Sequence, residues 1–195
     1  MYEEKKYNLK ELAGISDETI TEHLKLYTGY VKHTNLILEK AKNLIENTET
    51  QYAGTETQRR FGFEWNGMRN HEIYFSLLEG GPQNLTINSN LGKALEKQWG
   101  SFDSWLTNFK KIATTRGPGW VVLYLDSSTN QLLNTWVDEQ HIGVLNGAQP
   151  ILILDMWEHA YFLDYHPAEK MKYVDAFFAN VNWTIAENLF LSAKK

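Results

Sequence analysis

Asp155-Met156-Trp157-Glu158-His159-Ala160-Tyr161 follows directly on Ile151-Leu152-Ile153-Leu154, and how these two stretches are read decides the fold. The four aliphatic residues predict a buried strand, which then delivers a carboxylate and an imidazole four residues apart. Oxygen and nitrogen donors without a thiolate suit a hard or borderline redox metal such as iron or manganese. The same spacing also fits a plainer arrangement, a strand end followed by a helix cap and a hydrogen-bonded core histidine.

Two further histidines bear on that choice. Ser16-Asp17-Glu18-Thr19 predicts a helix start, with Ser16 as N-cap and acids in the first turn where the helix dipole favours them. The helix runs to about Glu46, and Ile20, His23, Tyr27, Tyr30 and Val31 recur along it at three- and four-residue steps. His23 and Tyr30 therefore share a stripe, two turns apart. After a polar loop from Asn47 to Gly54, a second helix is expected from about Gln58 to Leu78, with Phe63, Gly67, His71, Tyr74 and Leu78 on its inner face. A short connection makes the pair an antiparallel hairpin whose inner faces bring His23 and His71 together. A buried imidazole must be hydrogen-bonded or coordinated, so these two favour the metal reading of Asp155 and His159. Glu64 and Glu72 read as helix-surface carboxylates, and the paired Glu-x-x-His motifs of a di-iron bundle do not occur.

Gly80-Gly81-Pro82 breaks the helical pattern, and the polar stretch to Asn90 reads as a linker between lobes. Beyond it, amphipathic helices are expected at Leu91–Gln98 and Phe102–Thr114, then a turn at Arg116-Gly117-Pro118-Gly119. Strand-like runs follow at Trp120–Leu125, Leu132–Val137 and Ile151–Leu154, the first two joined by the hairpin turn Asp126-Ser127-Ser128-Thr129-Asn130. From Ala168 to about Leu191 the pattern is helical.

A chain of 195 residues with 43% apolar and 13% aromatic residues is ample for a packed core. No apolar run approaches the ~20 residues that cross a bilayer, the Met1-Tyr2-Glu3-Glu4-Lys5-Lys6 start lacks a signal-peptide stretch, and there are no cysteines. A cytoplasmic protein with no membrane partner is expected. Its net charge of -5 argues against nucleic acid as a partner, since binding phosphates needs a basic patch. A small anionic substrate would be repelled at long range, so local cations must focus it. Lys25, Lys32 and Lys170 lie near the candidate ligands in sequence.

The stretch from Asp155 to Tyr161 resembles the D-x-W-E-H-A-Y signature of the iron/manganese superoxide dismutases, and the order of elements is similar over nearly the whole chain. The resemblance implies an α+β fold: an antiparallel α-hairpin lobe over residues 1–80, a linker at 81–90, and an α/β lobe over 91–195 with a three-stranded antiparallel sheet. It implies one iron or manganese ion per subunit held by His23, His71, Asp155 and His159, superoxide and protons as substrates, and a homodimer or tetramer. Tyr30 would stand at the mouth of the site, with Trp120, Trp157 and Phe75 as an apolar cage. The family places a glutamine or histidine beside the solvent ligand of the metal. Gly67 occupies the helical-lobe position for that residue and supplies nothing, so the sheet must do so, with His141 expected there and Gln140 as runner-up. Glu158 would cross a dimer interface to the partner's ligand histidine, with Tyr161 at the same contact. Tyr27, where the family often has a second histidine, would have to reach Tyr161 or a bridging water. The chain departs from the family in three respects: that tyrosine, with a His23-to-Tyr30 spacing one residue shorter than the commonest form; Glu169 and Lys170 in place of an arginine near Tyr165; and an uninformative apolar Ile153 two residues before Asp155. A protein that keeps this fold but only binds, stores or senses a metal is the alternative.

Overall fold

The computed structural model of the protein describes residues 1–194. Ser16 takes an extended backbone and its hydroxyl accepts from the Thr19 N–H, which starts the first helix, α1 (Asp17–Glu46), over its acidic first turn. Four residues then reverse the chain into α2 (Gln51–Leu78), which begins seven residues earlier than the polar composition suggested. Gly54 is the reason: it is buried where an added Cβ would lie 2.7 Å from the backbone nitrogen of Ile45. The absence of a side chain there lets the two helix backbones touch, while Gln51, Tyr52 and Thr55 stay on the outside as helix surface. His23 and His71 meet across the hairpin with ring centroids 4.9 Å apart.

Two amphipathic helices follow, α3 (Asn90–Trp99) and α4 (Phe102–Ala113), each N-capped by a serine hydroxyl, from Ser89 and Ser101. The sheet is antiparallel in the order β2-β1-β3, with β1 (Gly119–Asp126) at the centre between β2 (Gln131–Asp138) and β3 (Ala148–Asp155). Central β1 is apolar on both faces and buried almost throughout. Pro150 is tolerated because β3 is an edge strand. Register sets up the site: Trp120 stands opposite Asp155 on one side and Val137 on the other, so one end of the sheet presents the indole and the carboxylate together.

The helical stretch expected from Ala168 to Leu191 is broken into a 3-10 turn (Pro167–Glu169), α5 (Lys170–Asn180) and α6 (Trp183–Ala193). Asn182 causes the break: its N–H donates to Leu77 O, its side-chain amide donates to Glu79 O, and its side-chain oxygen caps Thr184. Hydrogen bonds to distant residues here outweigh local helix propensity. Among the described residues no helix is long and apolar enough to cross a membrane.

Candidate metal centre

α1 supplies His23, α2 supplies His71, the last residue of β3 is Asp155, and a 3-10 turn (Glu158–Ala160) carries His159. One donor atom from each lies within 4.8 Å of all the others. Asp155 Oδ2 is the hub, 3.1 Å from His23 Nε2, 3.2 Å from His159 Nε2 and 3.7 Å from His71 Nε2. His23, His71 and Asp155 have no exposure to solvent; the His159 side chain retains 21%.

The hydrogen bonding asks for a cation. His71 Nδ1 lies 2.6 Å from the carbonyl of Gly67, which can only accept, so Nδ1 carries the proton and Nε2 points a bare lone pair at Asp155. That Nε2 is buried and has no hydrogen-bond partner. A lone pair facing a carboxylate in a dry pocket costs free energy unless a positive ion sits between them. Three imidazole nitrogens and one carboxylate oxygen, with no sulfur, form a donor set that fits iron or manganese. Burial, with His23 as a smaller contribution, pushes the His71 imidazole down to about 3. Burial also lowers His23, partly opposed by Asp155. For Asp155 burial acts upward, but His159 and His23 together outweigh it and hold the carboxyl below the usual range. These buried donors are therefore unprotonated at neutral pH, as metal ligation requires.

An aromatic wall keeps the pocket dry. Trp120 lies 5.0 Å from His71, Phe75 4.9 Å from His23, and Trp157 stacks on His159 at 5.8 Å. Tyr74, which the sequence reading put on the inner face of α2 but not in the cage, also packs 5.0 Å from His23 and meets the Tyr173 hydroxyl at 3.2 Å. Its position three residues after His71 was the available signal.

The polar residue beside this pocket is Gln140 rather than the expected His141. Gln140 is fully buried; its Oε1 accepts from the Trp120 indole at 2.9 Å and its Nε2 donates to the Tyr30 hydroxyl at 2.9 Å. A tight turn after β2 decides between the two neighbours. Glu139 takes a left-handed backbone, φ 50, and Asp138 and Ile142 exchange both backbone hydrogen bonds around it. The Trp157 indole holds the Glu139 carbonyl and Asn70 holds that of Gln140. With the turn fixed this way, Gln140 points inward and His141 packs against Phe63 and Gly62. Asn70 gave no sequence signal.

Tyr30 lies 5.1 Å from His71, and burial, reinforced by the charges of Asp155 and Glu64, raises its hydroxyl so that it keeps its proton. Gly67 makes room for it: an added Cβ would come within 2.6 Å of the Tyr30 ring.

Other expectations need correcting. Tyr27, expected at a dimer contact, is only 1% exposed, and its hydroxyl accepts from the Lys5 N–H at 2.9 Å within the chain, so it presents no surface to a partner. Glu72 and Glu64 are not surface carboxylates: Glu72 is buried against Arg69 and Lys5, and Glu64 against Arg60. Lys25 pairs with Glu22 on the surface, whereas Lys170 lines a cavity of about 990 Å³ with Glu158, His159 and Tyr161. Tyr161 is itself almost wholly buried, packed on Tyr173, and Glu158 is exposed.

Two outcomes follow from this packing. In Gly67→Ala, overpacking against Tyr30 should cost ~1–3 kcal/mol, outweighing the ~1 kcal/mol that alanine gains over glycine in a helix; urea unfolding measures it, and an unchanged or higher midpoint would mean the ring has room. For the metal-free protein, the unfolded chain protonates its histidines near ~6.5 while the buried pair stays neutral down to about 3 for His71. No penalty exists above that unfolded value. As pH falls below it, stability should drop by roughly 1.4 kcal/mol per pH unit for each such imidazole; a flat urea midpoint from about pH 7 to 5 would contradict the burial argument.

Residues 87–189 match the iron/manganese superoxide dismutases, C-terminal domain. Over 194 residues the chain is 32% identical to a superoxide dismutase (Fe) of Aquifex aeolicus, covering 95% of this chain and 89% of that protein. It is 34% identical over 187 residues to a superoxide dismutase (Fe) of Cupriavidus metallidurans, covering 94% and 92%. With superoxide dismutase (Mn) 2 of Haloferax volcanii it shares 34% identity over 174 residues, covering 87% and 83%. On the match of its C-terminal half and on relatives that align along nearly its full length, the chain belongs to the iron/manganese superoxide dismutases.

Proposed function

We propose that each subunit holds one iron or manganese ion through His23, His71, Asp155 and His159, and that the disproportionation of superoxide to dioxygen and hydrogen peroxide takes place beside Gln140 and Tyr30. The observation that carries this is the cluster of three imidazoles and one carboxylate, with His23, His71 and Asp155 fully buried, and the Tyr30–Gln140–Trp120 chain at its edge. The chemistry supplied by the bound ion is a one-electron exchange, in which one superoxide is oxidised and a second, taking two protons, is reduced.

The chain's own residues govern the protons. An indole N–H can only donate, so Trp120 fixes the Gln140 carboxamide with its oxygen toward the indole and its NH₂ toward Tyr30. Tyr30 then accepts from Gln140, which leaves its own O–H directed elsewhere, free to donate to an oxygen in the site. Its raised proton affinity keeps that donor loaded at neutral pH. Gln140 takes the role first expected of His141, and tunes the site through hydrogen bonding rather than ligation. A protein that only stored or sensed a metal would have no use for this aligned donor chain.

The assembly proposed is a homodimer sharing the Glu158 face. The carboxylate is exposed beside a ligand with no partner among the described residues, and Phe162 and Leu163 next to it are 57% and 52% exposed. Apolar side chains flanking an unpaired acid suit an interface better than open solvent. A cytoplasmic setting, expected from the cysteine-free composition, belongs to the same proposal.

Protein loaded separately with iron and with manganese should bind one ion per chain, and at least one form should dismutate superoxide; absence of activity in both loaded forms would sink the enzymatic reading. Gln140→Ala should retain its metal but lose roughly 10–100-fold in activity, whereas His141→Ala should stay close to the parent. If the two results were exchanged, the inward-facing role would belong to His141. Sedimentation of the parent should show a dimer at micromolar concentration, and Glu158→Ala should weaken it; a monomer with full activity rules out a shared face.

A further inference from the structure

The aromatic side chains around the four donors differ in what their polar atoms touch. The indole N–H groups of Trp120 and Trp157 donate to an amide oxygen and a backbone carbonyl, and the hydroxyls of Tyr30 and Tyr74 meet the Gln140 amide and another phenol. None of those partners is a base. Tyr27 is different. Its ring lies nearly parallel to that of His71, with centroids 6.5 Å apart. The Lys5 N–H can only donate, so it occupies a lone pair of the Tyr27 oxygen, and the Tyr27 O–H is directed at the Glu72 carboxylate, 3.4 Å away. Tyr7 packs edge-on against Tyr27 at 6.2 Å, is half-buried, and lines a separate cavity of about 520 Å³ with Lys5, Arg69, Glu72 and Glu79. Tyr74 leads inward instead: its hydroxyl partner Tyr173 is fully buried and packs on Tyr161, which is 4% exposed.

A phenol gives up an electron far more readily when its proton leaves at the same time. Electron tunnelling falls off exponentially with distance, so two short steps between adjoining rings outrun one long one. The chain has no cysteine to intercept an oxidant. We propose that Tyr27 and Tyr7 form a relay that carries oxidising equivalents out of the metal centre to the surface. The proposal rests on the dismutase reading, because hydrogen peroxide is the product of that reaction and the source of the oxidant, a species at the level of the hydroxyl radical. Tyr27 gives this oxidant one electron and passes its phenolic proton to Glu72; the oxidant takes a proton from solvent and ends as water. An electron from Tyr7 and the proton held by Glu72 then restore Tyr27, while the Tyr7 proton enters the water of the cavity. A thiol at the cavity returns one electron and one proton to Tyr7 and is left as its thiyl radical.

The test exposes the iron-loaded protein to hydrogen peroxide, with and without glutathione as the thiol. Beside activity it reads the tyrosyl radical by electron paramagnetic resonance of freeze-quenched samples, the positions of oxidised residues by peptide mass mapping, and the metal retained. The parent should give a tyrosyl signal that glutathione removes, with oxidised tyrosine mapping to Tyr7. In Tyr7→Phe oxidation should stop at Tyr27, and the protein should lose its metal several-fold faster under peroxide, with glutathione no longer protecting it. In Tyr27→Phe, which keeps the ring, Tyr7 should stay unmodified while oxidation moves to Trp120 and His71. Tyr74→Phe, a control beside a proposed ligand but with no outlet, should oxidise Tyr7 as the parent does. A parent without a tyrosyl signal, or Tyr7 oxidised to the same extent in Tyr27→Phe or in metal-free protein, would overturn the relay. A loaded parent that consumes no superoxide yet oxidises Tyr7 only when Tyr27 is present would leave the relay standing and reject the dismutase reading instead.

Discussion

A carboxylate sealed from water is the constraint on which this structure depends. Asp155 has no solvent exposure, and an ionised carboxylate in such a place is tolerable only with partners for its lone pairs. The backbone N–H of Trp157 serves one oxygen, and three imidazole nitrogens surround the other. No single element can assemble that set. The edge strand provides the carboxylate, two long helices must cross at His23 and His71, and the chain after the strand must coil at once to return His159. The fold is the arrangement that lets four distant residues share one small dry volume. The same burial that keeps the His23 and His71 imidazoles neutral makes the cluster expensive without a cation, so site and fold stand or fall together.

Much of this was legible in the sequence because its signals are local or periodic. His23 and Tyr30 lie seven apart on one helix, a spacing that survives any detail of packing. The run from Ile151 to Tyr161 holds strand, carboxylate and imidazole in a single stretch. What could not be read depends on residues remote in sequence. Glu139 adopts a left-handed conformation in which glycine or asparagine would be the usual signal, and the turn persists because Trp157 and Asn70 grip its carbonyls. That grip turns Gln140 toward Trp120 and Tyr30 and leaves His141 against Phe63. The early start of α2 and the break at Asn182 have the same character: a backbone contact at Gly54, and hydrogen bonds to Leu77 and Glu79, overrule composition.

Gly67 links two demands on the inner face of α2. Its carbonyl fixes the His71 tautomer, and its missing side chain admits the ring of Tyr30. A larger residue at this position would compete with the tyrosine for space. The polar partner of Tyr30 therefore comes from the opposite side, off the turn after β2. Supplying it from the sheet has a physical consequence: Gln140 is clamped between two aromatic residues from different layers, Trp120 of β1 and Tyr30 of α1, so its donor direction is determined by the tertiary packing.

Tyr27 shows the same logic applied to a position the family often uses differently. Its hydroxyl accepts the Lys5 N–H, and Lys5 in turn reaches Glu72, the residue next to His71. The N-terminal segment thus straps α1 to α2 one residue away from His71; Arg69 meets the same Oε2 of Glu72 as Lys5, and the Tyr27 hydroxyl donates to Oε1. A buried carboxylate so paired costs heavily to break from one side, which makes this strap a brace for the helix crossing on which His23 and His71 depend. Turning position 27 inward also removes it from the surface of the chain, where it is only 1% exposed.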